Sequence, residues 1–354
     1  MVIREFGAIQ FRNYRELFVT FTDRINLFIG NNGQGKTNLA EAIYFLCHLS
    51  SFRSHRLDPL LHFGESSAWL QGTVIKPESQ QKAKVEITRR GRRAWLDEAP
   101  VGTLSAYAAL FYAILFNPDS LYSYRHYPAT RRGEMDRFLS FLDRDYLDAL
   151  RKFRAILTQK NVLLKSGDSS SLPEWNQLLI EKASDIIQRR AALLVRINAQ
   201  LPALFTRLAG RDEALQLVYE PSLKGEPEAD AATLLRAREH ELQAGHALYG
   251  PHRDDFQLVL ERQRKESYFS QGEYRISLLA LKLALNELLM ERRGFRPVIV
   301  LDDLFSELDG EVQTRLLDYL QRIDNQIFIT STHSATAVQI PGVQFMEIRD
   351  GRIN

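Results

Sequence analysis

Residues 30–37 read Gly30-Asn31-Asn32-Gly33-Gln34-Gly35-Lys36-Thr37 and match the pattern G-x-x-x-x-G-K-[ST]. Glycines in such a loop let the backbone turn tightly, so that successive N–H groups face a phosphate. Lys36 is then expected to reach the β- and γ-phosphates, and the Thr37 hydroxyl is expected to hold Mg²⁺. The stretch therefore predicts a nucleoside triphosphate site, in which Lys36 is both a phosphate contact and a catalytic residue.

The sequence on either side of this loop fits the same prediction. Residues 25–29 form a short apolar run, which is typical of a buried parallel strand. Residues 38–49 place Leu39, Ala42, Ile43 and Leu46 at helical spacing. A helix that begins at the loop adds its positive end to the phosphate site. The alternative, a glycine-rich turn with a chance lysine, is disfavoured by this strand–loop–helix order.

Composition limits the class of protein. The 354 residues are 45% hydrophobic and 25% charged, with a formal net charge of +2, which neither requires nor excludes a nucleic-acid partner. The single cysteine, Cys47, excludes a disulfide framework and a four-cysteine zinc site. We find no signal-peptide pattern and no run near the roughly 18 apolar residues of a membrane helix. These features predict a cytoplasmic protein.

A second motif lies far along the chain. Residues 298–301 are an apolar run followed by Asp302 and Asp303. Asp302 is expected to accept Mg²⁺, and Asp303 to orient or deprotonate the attacking water, because a carboxylate at such a strand end can reach the metal. The alternative is an exposed acidic turn. Asp302 follows Lys36 by 266 residues (302 minus 36), a wider separation than simple kinases or small GTPases have.

The pattern between the two motifs predicts the domain organisation. Strand-like runs near the N-terminus and within residues 66–97 precede a stretch of helical spacing from about residue 130 to 211. Further runs at residues 215–219, 256–260, 297–301, 326–330 and 343–348 are strand-like, and residues 274–293 predict a long helix. We predict an α/β fold with a mixed sheet and N-terminal antiparallel strands. Residues 1–122 and 245–354 would form a split head, and residues 123–244 an inserted helical arm.

Three shorter segments resemble the ATP-binding-cassette (ABC) type of head. Ser270-Gln271-Gly272-Glu273 resembles the signature motif of that superfamily, although Ser270 could simply cap the helix that follows. Ser306-Glu307-Leu308-Asp309 resembles the D-loop. His333 resembles the switch histidine and is our third catalytic candidate, although a lone histidine is more often structural.

Taken together, these motifs resemble the RecF family of bacterial recombination-repair ATPases, which is related to SMC proteins. The likeness covers nearly the whole chain. It includes residues 13–15, 32–39 and 51–53, the segment with Pro128, Arg131, Arg132 and Asp136, and residues 250–255, which read Gly-Pro-His-Arg-Asp-Asp. One departure matters most: Glu273 stands where the family usually has glutamine, and a carboxylate there would repel a γ-phosphate. We therefore retain Ser270 and Gly272 as nucleotide contacts and omit Glu273.

The resemblance implies a mechanism and partners. Two heads would each bind ATP and Mg²⁺ at residues 30–37 and be capped by Ser270 and Gly272 of the other copy. Hydrolysis, which we expect to be weak and DNA-stimulated, would release the clamp. The resemblance implies binding to double-stranded DNA and to double-strand/single-strand junctions at the nucleoid. It also implies RecR- and RecO-like partners and roles in recombinase loading at gaps, replication restart and the SOS response.

Basic residues give candidate DNA contacts. Arg89, Arg90, Arg92 and Arg93 cluster on a predicted hairpin, where residues 88–93 are expected to form the turn. The other candidates are Arg53, Arg56, Arg131 and Arg132. The ordinary alternative is that each cluster is a solvated surface. Two rival functions also stay open: an SMC-like or other ABC-type ATPase without a direct DNA role, and a catalytically inactive scaffold.

Overall fold

The computed structural model describes residues 1–260, 264–265, 268–332 and 342–353. The strands in chain order are β1 (Val2–Phe11), β2 (Tyr14–Thr20), β3 (Ile25–Ile29), β4 (Ser67–Lys76), β5 (Ser79–Thr88), β6 (Gly91–Leu96), β7 (Ala99–Pro100), β8 (Ala113–Phe116), β9 (Leu215–Glu220), β10 (Asp255–Leu260), β11 (Arg264–Lys265), β12 (Val298–Asp302), β13 (Ile327–Ser331), β14 (Gln344–Arg349) and β15 (Arg352–Ile353). The helices are α1 (Lys36–His48), α2 (Leu104–Ala108), α3 (Pro118–His126), α4 (Pro128–Leu142), α5 (Arg144–Ser166), α6 (Leu172–Ala209), α7 (Pro227–Ala244), α8 (Gln271–Arg293) and α9 (Gly310–Arg322).

The strand before the phosphate loop lies inside a mainly parallel sheet of order β15-β14-β3-β13-β12-β8. Strands β14, β3, β13, β12 and β8 run parallel, and every residue of β12 and β13 is buried. This burial explains why these strands read as continuous apolar runs. Since parallel strands end at one edge of a sheet, the phosphate loop after β3 and the acidic pair at the end of β12 lie at the same edge.

A second, antiparallel sheet has the order β2-β1-β4-β5-β6-β7. Its predicted hairpin forms, but the turn is shorter than expected. Thr88 pairs with Gly91, so that Arg89 and Arg90 alone make the turn while Arg92 and Arg93 belong to β6. Strand β6, which contains the strand-forming run Ala94-Trp95-Leu96, begins already at Gly91. A two-residue turn suits antiparallel strands.

Helix α1 contacts both sheets: it touches β4 and β5 of the antiparallel sheet and β8, β12 and β13 of the parallel sheet. Residues 39–47 of this helix are all buried, including the carboxylate-bearing Glu41. A helix buried on almost every side cannot shift readily, because each face is packed at interior density. The phosphate loop at its N-terminus is therefore held on a rigid element.

Two helices were not predicted from the sequence. Helix α3 begins with Pro118, a position at which proline needs no N–H donor. Helix α7 was not predicted at all. Its buried face carries Asp230 and Glu241 beside Leu234 and Ala237, so its apolar periodicity is weak in the sequence.

The chain divides by contacts into two units. The first comprises residues 1–122, 207–210 and the described residues from 278 onward, and the second comprises 123–206 and the described residues of 211–277. The second unit begins where the predicted arm begins but continues past residue 244, because β10 pairs with β9 in the antiparallel sheet β11-β10-β9. The functional division into head and arm stays a prediction.

A buried polar network joins the helices of the second unit to its sheet. Arg190 donates to Asp136 Oδ1 at 2.7 Å and to Asp254 Oδ2 at 2.8 Å, and its Nε donates to the Tyr146 hydroxyl at 3.1 Å. Arg190 is almost completely buried. A buried cation needs such partners because its desolvation is costly. The network gives a structural reason for Asp136 and for Asp254 of the Gly-Pro-His-Arg-Asp-Asp segment.

Candidate nucleotide-binding site

The phosphate loop is closed around its own lysine. Lys36 Nζ donates to the carbonyl oxygens of Gly30 at 2.6 Å and Asn31 at 2.8 Å. Burial lowers the pKa of Lys36, and the nearby carboxylates of Asp303 and Asp302 oppose that shift. The lysine is thus held in the loop by two carbonyl oxygens, with two carboxylates nearby.

Glycine is required at two positions of the loop. Gly30 has a φ of 148°, and a Cβ there would lie 2.4 Å from the carbonyl oxygen of Ile348. Gly35 has a φ of 120°, and a Cβ there would lie 2.7 Å from Asn13 Nδ2. Side chains at these positions would meet both an unfavourable backbone region and a steric clash.

Both ends of the chain support the loop. Asn13 Nδ2 donates to the Gln34 carbonyl at 3.0 Å, and the buried Tyr14 hydroxyl donates to the Gly35 carbonyl at 3.0 Å. From the C-terminal hairpin, the Gly351 N–H donates to the Gln34 carbonyl at 3.1 Å, and the Asp350 N–H donates to Gln34 Oε1 at 2.6 Å. The loop is therefore preorganised by contacts that a motif search does not reveal.

Asp302, the first acid of the pair, contacts the last residue of the loop. The Thr37 hydroxyl donates to Asp302 Oδ1 at 2.9 Å, and the Thr330 hydroxyl donates to the same oxygen at 2.8 Å. Asp302 is only 4% exposed. Burial raises the pKa of Asp302, while the two hydroxyl donors act against that rise. A hydroxyl and a carboxylate in contact are the hard oxygen ligands that suit Mg²⁺, so this donor set fits the ion.

Asp303 has a different environment from its neighbour. It is exposed, its φ of 50° lies in the left-handed region, and its N–H donates to the Thr330 hydroxyl at 2.9 Å. Asp303 is one of seven described non-glycine residues with a positive φ, and aspartate tolerates this region better than most residues do. Thr330 was not singled out from the sequence. The structure identifies Thr330 through the register of β12 and β13, in which it pairs with Asp302.

Arg53, a predicted contact, is tied to the helix that carries the phosphate loop. It donates to Asn38 Oδ1 at 2.8 Å and lies 3.6 Å from the buried Glu41. Arg12 holds Glu41 from the other side with two bonds of 2.8 Å. Sequence reasoning missed Arg12, because no local pattern connects it to a partner 29 residues away.

The predicted basic clusters of the first unit meet at one surface. Arg56 and Arg89 each lie 3.6 Å from Asp58, which brings residues of two clusters together. Arg90 and Arg93 are exposed, whereas Arg92 is half-buried and burial lowers its pKa.

An aromatic side chain projects from the same region. Phe63 is 98% exposed, and with Arg53 and Arg89 it lines an open groove of about 920 Å³. An aromatic ring so exposed beside arginines is a candidate surface for stacking on a base. No pattern in the sequence singles out this phenylalanine.

Arg131 and Arg132 lie elsewhere, in the second unit. Arg131 is buried and holds both carboxylate oxygens of Asp255 at 2.7 Å, and Arg132 donates to the carbonyl of Asp254 at 2.7 Å. These contacts give both residues a structural role. Arg131 and Arg132 therefore do not belong to the basic surface of the first unit.

The signature-like segment begins α8 with reciprocal capping bonds. The Glu273 N–H donates to Ser270 Oγ at 3.1 Å, and the Ser270 N–H donates to Glu273 Oε2 at 2.8 Å. Ser270 and Gly272 are both exposed. Ser270 is thus a helix cap, as the structural alternative had it, and a capped, exposed helix start stays compatible with an anion contact. His333 lies outside the described residues.

Two further findings concern chemistry that the described residues do not support. None of the described helices is long and apolar enough to cross a membrane. No group of three or more histidine, cysteine, aspartate or glutamate residues within the described ranges could hold a metal ion by itself. A Mg²⁺ ion at Thr37 and Asp302 would therefore need oxygens from phosphates or water.

Comparison with known proteins identifies the family of the chain. Residues 2–350 match the model of the RecF/RecN/SMC N-terminal domain. The DNA replication and repair protein RecF of Lactobacillus gasseri is 36% identical over 347 residues, which cover 94% of this chain and 92% of the relative. The protein of the same name from Geobacter sp. strain M21 is 33% identical over 352 residues, 97% of each chain.

The chain belongs to the RecF family. A solved structure of the recombination mediator protein RecF with ATP, from the RecFOR pathway, superposes with a TM-score of 0.89 at 27% identity, covering 100% of this chain and 98% of the other. An SMC head domain derived from Pyrococcus furiosus has a TM-score of 0.60 at 15% identity, covering 99% of this chain and 95% of the other, which shows a shared fold. The predicted fold class, an ABC-type ATPase head with an inserted helical region, is thereby confirmed.

Proposed function

We propose that this RecF-family chain is an ATPase that binds ATP and Mg²⁺ at residues 30–37 and dimerises on ATP. The observation that carries the proposal is the contact of Thr37 with Asp302 beside the enclosed Lys36. It unites the two halves of a phosphate and metal site from positions 265 residues apart. The ATP-bound RecF structure supports the choice of nucleotide.

The residues of the site have separate tasks in this proposal. The loop amides and Lys36 bind the β- and γ-phosphates, while Thr37 and Asp302 hold Mg²⁺, which supplies charge stabilisation to the phosphates. Asp303, exposed and held at an unusual backbone angle, orients or deprotonates the attacking water. His333, which follows β13 in the sequence, is proposed to take part in ATP hydrolysis. Turnover is weak and stimulated by DNA.

The second part of the proposal concerns dimerisation. Ser270 and Gly272 lie at the exposed start of α8 and contact the γ-phosphate bound by the other copy. ATP then favours the dimer because it adds contacts that only the dimer has, and hydrolysis removes them.

The third part concerns DNA and partners. The surface formed by Arg53, Arg56, Arg89, Arg90 and Arg93 binds phosphates of double-stranded DNA, and Phe63 stacks on an unpaired base at a double-strand/single-strand junction. Through RecR- and RecO-like partners, the protein supports recombinase loading at gaps, replication restart and SOS induction at the nucleoid in the cytoplasm. The relative's place in the RecFOR pathway supports these partners.

Asp303→Asn provides the central test, because it should retain ATP and the dimer while losing turnover by about a hundredfold or more. Light scattering would measure the mass with ATP, with ADP and with a junction DNA, and phosphate release would be followed in parallel. The matched control is Asp324→Asn, which changes an exposed carboxylate of the same unit whose ion pair with Arg24 lies at the surface. A wild-type monomer under saturating ATP would contradict the dimer. A dimer that does not bind DNA at low salt would favour an SMC-like ATPase without a DNA role.

A further inference from the structure

An open groove of about 650 Å³ lies between two helices of the second unit. Residues 172–181 of α6 form one wall, and residues 227–238 of α7 form the other. Within each wall the lining side chains recur every three or four residues, so each helix presents one face to the groove. The apolar lining side chains are those of Leu172, Pro173, Ile180, Pro227, Ala231 and Leu235.

The groove leaves apolar surface in contact with solvent. Leu235 is 70% exposed, whereas Leu172 and Ile180 on the opposite wall are buried. A single exposed leucine is ordinary on a protein surface, but one that borders a groove with apolar walls indicates a surface suited to a partner. A third helix placed between the two walls would cover this surface, as in helix-in-groove recognition.

A polar atom in the groove is also unsatisfied. Asn176 Oδ1 is buried, and no donor within the described residues forms a hydrogen bond to it. A buried acceptor without a partner is unfavourable, because it has lost its hydration and gained nothing in return. An occupant whose side chain donates to this oxygen would therefore be favoured.

The two helices run antiparallel along the groove. At one end, Arg238 of α7 donates to the carbonyl of Ser169, which precedes α6, at 3.4 Å. At the other end, the Ser184 hydroxyl of α6 donates to the carbonyl of Gly225, which precedes α7, at 2.7 Å. The start of α6 therefore lies beside the later part of α7, and the start of α7 lies beside the part of α6 near Ser184.

This arrangement gives the two ends of the groove opposite charge. Glu181 and Glu228 border the end where α7 starts, and Arg238 borders the end where α6 starts. All three side chains belong to exposed residues, and the ion pair of Glu181 with its neighbour Lys182 is partly exposed and hence weak. Two glutamates at one end disfavour the phosphate backbone of a nucleic acid. Opposite charges across an interface instead favour one partner and one orientation of it.

We propose that this groove binds an amphipathic helix of a partner protein, with acidic residues in the first turn of that helix and basic residues in its last. Helices commonly have this charge distribution, because it complements their own dipole. Such a helix matches the groove when it runs parallel to α6, with its acids at Arg238 and its bases at Glu181 and Glu228. About three turns span the wall of α6, since ten helical residues are about 15 Å long. Binding there needs no nucleotide and is independent of the proposed dimer.

Two synthetic helices test the charge pattern. The forward probe is a stapled peptide of about 15 residues with leucines on one face, glutamates in its first turn and lysines in its last; the staple is needed because so short a helix is marginal in water. The reversed probe exchanges the glutamates and lysines. Fluorescence anisotropy with the full chain, without nucleotide, should show the forward probe bound about tenfold or more tightly. Equal affinities, or no binding of either probe at about 100 µM protein, would overturn the proposal.

Variants of the chain locate the binding. Ala231→Trp places an indole in the groove and should weaken binding of the forward probe by about tenfold or more, because a bulky side chain excludes the helix. Ala232→Trp is the matched control, since Ala232 is the next exposed residue of the same helix and does not line the groove. The triple variant Glu181→Lys, Glu228→Lys, Arg238→Glu should prefer the reversed probe. Equal binding by the two tryptophan variants, or an unchanged preference in the triple variant, would show that the helix does not lie in this groove. Thermal unfolding checks that each variant is folded.

Sedimentation of the chain without nucleotide tests the other occupant, a second copy of the chain. A monomer supports the proposal, because the groove is then open to a partner. Self-association that Ala231→Trp abolishes and Ala232→Trp retains would assign the groove to the second copy and overturn it. Dimerisation measured with ATP concerns the proposed function alone, so the two proposals can fail separately.

Discussion

The phosphate loop and the start of α8 are two glycine-containing anion-binding candidates that the chain stabilises in opposite ways. The loop is fixed by residues from both chain ends, by Asn13 and Tyr14 on one side and by residues 350–351 on the other. The start of α8 is exposed and fixed by its own capping bonds and by Arg211. On the proposed function, the loop would therefore bind nucleotide without a second copy, whereas the exposed helix start would act only when a second copy approaches it.

Lys36→Met should have the largest effect of the variants, and this effect should be on ATP binding. Removing the ammonium leaves the γ-phosphate without its main counter-charge, so ATP affinity should fall by about a hundredfold or more. Titration calorimetry with ATP would measure it, and Lys82→Met, an exposed lysine of β5, serves as the control. Retained affinity would remove residues 30–37 from the nucleotide site.

Ser270→Arg should separate the two regions. A long cation at the exposed start of α8 blocks close approach of a second copy, so the ATP-dependent dimer should be lost at micromolar protein. ATP affinity of the monomer should stay within about twofold, because the loop is complete without this helix. Light scattering and calorimetry on the same sample would measure both. A variant that still dimerises would show that the serine does not lie in the interface.

Arg190→Ala tests how much the buried polar network stabilises the second unit. Removing the buried cation leaves the buried carboxylates of Asp136 and Asp254 without the guanidinium that pairs with both of them, so the free energy of unfolding should fall by about 3–5 kcal/mol. Arg189→Ala, at the preceding residue of the same helix, is the matched control. Its pairs with Asp143 and Asp185 are partly exposed, so its loss should cost about 0–1 kcal/mol. Urea unfolding would measure both, and equal losses would contradict the account of the network.

Phe63→Ala should have the smallest effect, and this effect should be limited to DNA with unpaired bases. Base stacking on an aromatic ring contributes about 1–3 kcal/mol per base, so affinity for a junction with unpaired bases should fall by about fivefold or more. Affinity for blunt duplex DNA should not change, because the arginines that bind phosphates remain. Fluorescence anisotropy with the two DNAs at one salt concentration would measure the ratio. An equal loss on both would indicate that Phe63 supports the fold of the groove and does not read unpaired bases.

The sequence predicted the elements that carry the nucleotide site because their signals are local. The strand at residues 25–29, the glycine pattern, the helix after it and the acids at the end of β12 could each be read from neighbouring residues. Helix α7 was missed because charged residues occupy its buried face. Arg131 was placed on a DNA surface because a buried arginine and an exposed one look alike until the partner, Asp255, is known.

By itself, the sequence determined the family, the fold class and the identity of the phosphate loop, since spacing and apolar runs encode secondary structure directly. Only the tertiary structure decided which distant groups meet: Thr330 with Asp302, residues 350–351 with Gln34, and Arg211 with Glu273. The physical reason is that these pairings depend on strand order and on the packing of side chains tens to hundreds of residues apart. No local pattern records such a pairing, because it forms only once the chain has folded.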